Sequence, residues 1–167
     1  MTATLWFKFL PRKVDIFLWR LRLESLPVRW NLSARGVEIN SIVCPVCNNG
    51  VETQDHVFFG CSLASKLRHW HKLRIWLNCS IPSFLSWDSF IVWLEGVRLS
   101  SISKNRVIAS VITLLWAIWR FRNGIIFNVS FCTISSLFDV VRLLYFRWIK
   151  HRGHLFSNWN LWLSMLL

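Results

Sequence analysis

The chain has 167 residues, room for one domain or two small ones. Lys and Arg number 20 against 8 Asp and Glu, a formal charge of +12, while 54% of residues are hydrophobic and 16% aromatic. That apolar content excludes a disordered chain, and five Cys are too sparse and too odd for a small disulfide-stapled secreted fold.

Taken in chain order, the N-terminal MTATLWFKFLPRK has no basic stretch ahead of its apolar residues, and Lys8 interrupts them, unlike a secretory signal. The expected setting is therefore intracellular, nuclear or cytoplasmic and not secreted, where Cys are thiols or metal ligands. Pro11 suits the first turn of a helix, and Val14, Phe17, Leu18 and Leu21 follow at helical spacing. Pro27 ends that helix or starts the next. Residues 30–35 form a short helical stretch with Gly36 as its stop. Residues 41–60 hold Pro45, the turn pair Asn49-Gly50 and the start of a Cys-rich cluster, and read as a loop-rich knuckle with a small hairpin. Leu63, Leu67, Trp70 and Leu73 mark another helix, with Ser62 as its N-cap.

Residues 78–86, with Pro82 and three serines, look like a linker. Beyond it the pattern is helical throughout. Ser86 would cap a helix through Val97, and Ser103 a long one through about Phe127. A mean hydropathy of +0.40 raises the question of a membrane. The longest apolar run, residues 107–119, contains Ser110 and Thr113 and is flanked by Arg106, Arg120 and Arg122. As a helix it would extend roughly 20 Å, short of a hydrocarbon core of roughly 30 Å, so it reads as a buried core helix. The last helix has the clearest stripe: Ile134, Leu137, Phe138, Val141, Leu144, Tyr145 and Trp148, with Gly153 at its end. The tail, residues 154–167, carries Trp159 and Trp162. The expected fold is mainly α, a small helical domain with a Cys-rich knuckle followed by a helical C-terminal region.

The chemistry lies in Cys44, Cys47, His56 and Cys61, spaced C-x2-C-x8-H-x4-C. Two Cys separated by two residues wrap a turn around one ion, and a His and a third Cys separated by four residues complete a tetrahedron. Thiolate and imidazole are the preferred ligands of structural zinc, and four protein ligands leave no open position for catalysis. Such a metal would stand in for a core that about twenty loop residues cannot build. His69 and His71 are the rivals for the His position. Cys79 and Cys132 read as small buried hydrophobes.

Around this cluster the sequence resembles the reverse-transcriptase zinc-binding domain found at the C-terminal side of plant LINE-type, non-LTR retrotransposon polyproteins. The resemblance starts at residues 5–37, at Trp6, Pro11-Arg12-Lys13, Phe17-Leu18-Trp19-Arg20, Leu26-Pro27, Leu32 and Arg35-Gly36. It continues through CPVCNNGVETQDHVFFGC, which matches the family's Cys-Pro-x-Cys, Glu-Thr-x-x-His and final Cys. Carried over position by position, Cys44, Cys47, His56 and Cys61 are the implied ligands and Zn2+ the implied cofactor. The segment LLWAIWRFRNGIIF, residues 114–127, resembles a stretch that often follows the domain in plant proteins. The resemblance implies a zinc-binding domain over residues 1–79 and a helical extension over 80–167. A polymerase needs an acidic motif such as Tyr-x-Asp-Asp, yet the single Tyr145 is followed by Phe-Arg-Trp, and no two acids form a convincing pair. The resemblance therefore implies descent from a retroelement without its enzymatic activity.

Residues 1–76 carry 11 Lys and Arg against 5 acids, and residues 77–167 carry 9 against 3, so each part has net charge +6. In the first part Arg12, Lys13, Arg20, Arg22, Arg29 and Arg35 accompany Phe17, Trp19 and Trp30. Basic and aromatic residues together neutralise phosphates and stack bases, so non-specific binding of RNA or single-stranded DNA through these six side chains is expected. The alternative is a protein-interaction or scaffold fragment, docking on a polymerase or another protein, or a decayed retroelement remnant, without nucleic-acid binding. No membrane partner is expected.

Overall fold

The computed structural model describes residues 7–8, 10–62, 68–78 and 80–153. Helix α1 spans Arg12–Arg22, with Pro11 in extended conformation immediately ahead of it. The predicted stripe of Val14, Phe17, Leu18 and Leu21 is buried, as is Asp15, whose Oδ1 accepts the Phe7 N–H at 3.3 Å. The chain leaves α1 through Glu24, at φ 48°, and enters the short α2, Arg29–Ala34. Gly36 stops α2 as expected: it sits at φ 78°, where a side chain is strained, and its N–H bonds to the Ser33 carbonyl.

The knuckle follows. Val43 and Val51 form a single antiparallel bridge, the small hairpin expected from Asn49-Gly50. It leads into a π-turn, His56–Gly60, whose Val57, Phe58 and Phe59 are buried. Helix α3 spans Arg68–Leu77 and buries Trp70, Leu73 and Trp76. The expected cap at Ser62 cannot be placed against a helix start, because Leu63 and Leu67 lie outside the described residues. Cys79 and the tail with Trp159 and Trp162 lie outside them too. Cys132 is half-buried and packs against the core.

The stretch expected as a linker contributes to the core. Ile81 and Phe84 are buried, and the Phe84 ring meets Trp70 and Phe90 edge-on at 5.5 and 5.2 Å. Helix α4, Trp87–Gly96, begins at Ser86 with a reciprocal capping box to Ser89. Helix α5, Ser101–Ile126, is the longest element, and its N-cap is Ser100 rather than Ser103. The Ser100 Oγ accepts the Ser103 N–H at 3.2 Å, so the expected cap sits inside the first turn as the donor. With serine at 100, 101 and 103, composition alone does not separate the candidates.

Every residue of 107–119 except Trp116 is buried. A helix apolar on all sides lies inside a domain, and α5 packs against α1, α3, the π-turn and α6. Among the described residues no helix is long and apolar enough to cross a membrane. Helix α6, Leu137–Trp148, follows a turn around Thr133–Ser136 and passes into a second π-turn, Ile149–Gly153. It buries Leu137, Phe138, Val141 and Tyr145 of the expected stripe and packs against α5, while Trp76 of α3 meets the Phe138 and Tyr145 rings edge-on. Ile134 precedes the helix and is half-buried. One hydrophobic cluster runs from Leu10 to Ile149.

Candidate metal centre

The four predicted ligands come together. Donor atoms of Cys44, Cys47, His56 and Cys61 all lie within 4.8 Å of one another. The hairpin places the first pair. The Cys44 N–H donates to the Gly50 carbonyl at 3.0 Å, and the Asn48 N–H donates to the Cys44 carbonyl at 2.9 Å. This curls residues 44–48 into a tight turn with both sulfurs on its inner side. Gly50, at φ 76°, lets the chain reverse beside the His56 ring.

The π-turn places the second pair. In an α-helix, residues five apart point roughly 140° away from each other. Here the Cys61 N–H bonds to the carbonyl of His56, five residues back, and the wider turn brings both side chains to one side. The His56 N–H is held in turn by the Thr53 hydroxyl at 3.1 Å.

The geometry fits a four-coordinate ion. Metal–sulfur arms of about 2.3 Å and metal–nitrogen arms of about 2.0 Å give tetrahedral edges of roughly 3.5–3.8 Å. The Cys44 and Cys61 sulfurs are 4.0 Å apart, and the Cys47 sulfur lies 3.3 Å from His56 Nε2. None of Cys44, Cys47 and Cys61 is in a disulfide. Cys44 and Cys61 are buried, while Cys47 and His56 are half-buried, so the centre sits at the rim of the core. The hydrogen bond with Cys61, and then burial, push the Cys44 thiol up to about 12. Both causes favour the neutral thiol, and a divalent cation among the four donors opposes both by stabilising thiolate. His71 is exposed on α3 and outside the cluster, and the side chain of His69 lies outside the described residues.

Three side chains between the two arms were not anticipated from the sequence, and they fasten the knuckle to the rest of the molecule. Glu52 is 0% exposed. Its Oε1 accepts from Arg122 Nε at 2.8 Å, and its Oε2 accepts from Arg122 Nη2 at 2.6 Å and from the Arg29 N–H at 2.8 Å. Gln54 bridges the α1–α2 connection, accepting the Leu26 N–H and donating to the Leu21 carbonyl, both at 3.1 Å. Asp55 accepts the first N–H of α4, from Trp87, at 3.3 Å. A signal for Glu52 and Arg122 exists in the sequence, since both fall in segments that carry the family resemblance. No local rule joins residues seventy positions apart.

The six basic residues expected to meet nucleic acid divide into four groups. Arg12, Lys13 and Arg20 are exposed on α1. Arg35 is exposed just past α2. Arg22 is half-buried beside Trp19 and Trp87. Arg29 is half-buried and turned toward the knuckle, where its Nη1 donates to the Val43 carbonyl at 2.6 Å.

Neither the curated proteins nor the solved structures compared with this chain include a match. Residues 1–70 match a family model described as zinc-binding in reverse transcriptase, and all four clustered donors fall inside that span. The N-terminal segment of this chain is thus a domain of the reverse-transcriptase zinc-binding kind.

Proposed function

We propose that this is a non-enzymatic module of retroelement origin, ordered by one Zn2+, that holds RNA or single-stranded DNA with little sequence specificity. Zinc is the metal that three thiolates and an imidazole at tetrahedral spacing suit best, and its role would be to fix the knuckle. Four protein donors leave no position for a reacting water, which supports a structural rather than a catalytic centre. Thiols at Cys44, Cys47 and Cys61 suit a reducing compartment, nuclear or cytoplasmic.

The observation that carries the nucleic-acid reading is the outer face of α1. Arg12, Ile16, Trp19, Arg20, Leu23 and Lys13 fall within an arc of roughly 120° around the helix axis. All six are exposed, with Trp19 47% exposed at one edge of the arc and Arg12, Arg20 and Lys13 across the rest of it. An indole beside a row of cations offers a base a stacking surface next to charge for the adjoining phosphates.

Anisotropy titration of a labelled single-stranded oligonucleotide at two salt concentrations, with and without chelator, tests this reading. If Arg12, Lys13 and Arg20 each meet a phosphate, log affinity should fall against log salt with a slope of about −2. Trp19→Ala should weaken binding by about 1–3 kcal/mol without loss of fold. Absence of binding at low salt would end the reading. A second reading draws on the same face, because Ile16, Trp19 and Leu23 also form an apolar stripe suited to a protein partner. Binding through that stripe would be nearly indifferent to salt.

A further inference from the structure

We infer that Arg122 is a positioning residue for the metal centre: reaching from α5, it clamps Glu52 and thereby fixes the arm of the knuckle that carries His56. The inference rests on the zinc reading above and goes beyond it, because Arg122 lies outside the matched segment 1–70.

The clamp is closed on every side. Arg122 is 3% exposed, and its guanidinium lies over the Trp119 ring, 4.8 Å from the centroid. Two of its nitrogens form the fork with Glu52, Nη2 also donates to the Pro27 carbonyl at 3.2 Å, and Nη1 donates to Asn123 Oδ1 at 2.9 Å. Such a planar two-point grip fixes direction as well as distance. Glu52 belongs to the hairpin through its backbone, since its N–H donates to the Ile42 carbonyl at 2.8 Å. The next residue, Thr53, holds the His56 N–H. The path from α5 to a metal donor is therefore Arg122, Glu52, Thr53, His56.

A carboxylate at this depth is tolerated only while it is paired. Without Arg122, Glu52 would turn toward water and take the Thr53–His56 segment with it, loosening the spacing between His56 and Cys47. Because the metal and α5 both require the same placement of Glu52, each strengthens the other, and the coupling must be reciprocal. The matched segment supplies all four donors, and α5 supplies the support that holds one of them in place.

The test uses the full chain and two readouts: zinc affinity from competition with a chromophoric chelator, and the melting temperature with and without zinc. Wild type is measured first, and failure to bind zinc overturns the zinc reading itself. Given a zinc-binding wild type, Arg122→Met should lower zinc affinity about 10–100-fold, in the range of outer-shell substitutions at metal sites, and shrink the melting shift that zinc produces. Arg98→Met, which removes the same charge from an exposed position, should change neither. A role confined to the fold would lower both melting temperatures equally and leave affinity at the wild-type value, and that result overturns the inference. If Arg122→Met does not fold even with zinc, Glu52→Gln decides by the same readouts. It keeps the side-chain size and removes the charge, and zinc affinity should again fall, whereas an unchanged affinity overturns the proposal.

Discussion

Residues 42–61 and residues 107–119 are held in place by different physics. In the helical segment every residue but Trp116 is buried, and the supporting contacts are apolar, from α1, α3, α6 and the π-turn, whose Phe58 ring meets Trp119. In the knuckle the buried set mixes Val57, Phe58 and Phe59 with two thiols, a carboxylate and an amide. Dispersion and water exclusion hold the first and tolerate small displacements. Directional bonds hold the second, and each fails abruptly when its partner is lost. On removal of a bound metal the knuckle should therefore loosen first, because its polar bonds tie it to α5 and the α1–α2 connection while the helices keep their apolar contacts.

Three substitutions probe that contrast, in descending order of effect. Leu115→Ala, at a fully buried site on α5, should cost about 2–5 kcal/mol in chemical denaturation, and the cost should be the same with or without chelator. A cost that vanished on chelation would place the knuckle, not the helices, at the base of the fold. Gln54→Ala removes the bonds to Leu26 and Leu21 and should cost about 1–3 kcal/mol in the metal-loaded protein. With chelator that cost should shrink toward zero, because the amide no longer has a fixed place. Equal costs in both states would show that the knuckle keeps its form without metal. Ser86→Ala breaks the capping box of α4 and should cost about 1 kcal/mol in either state, since neither the cap nor its partner Ser89 touches the metal donors.

The same division decides what the sequence reveals. Helical spacing is a local signal, so the stripes of α1 and α6 and the burial of residues 107–119 are readable from apolar periodicity. The Cys44, Cys47, His56 and Cys61 spacing is readable because one ion restricts how far apart its ligands can lie. Other features are settled in three dimensions. The Glu52–Arg122 pair joins residues seventy positions apart, and no local pattern links the two. Arg29 reads as a phosphate ligand by charge, and no local pattern shows the bond its guanidinium donates to the Val43 carbonyl. Residues 78–86 read as a linker because Pro82 and the serines outweigh Ile81 and Phe84, but two well-placed apolar side chains are enough to anchor a short stretch in a core. The π-turn has no composition of its own and is visible only through the bond between Cys61 and His56.

The most direct test of this account is the metal content of the purified full chain by native mass spectrometry, paired with its melting curve before and after chelation. The account predicts one zinc per chain, lost in Cys44→Ser, with a melting temperature that falls when zinc is removed. Protein that carries no metal, or that melts identically once the metal is stripped, would contradict it.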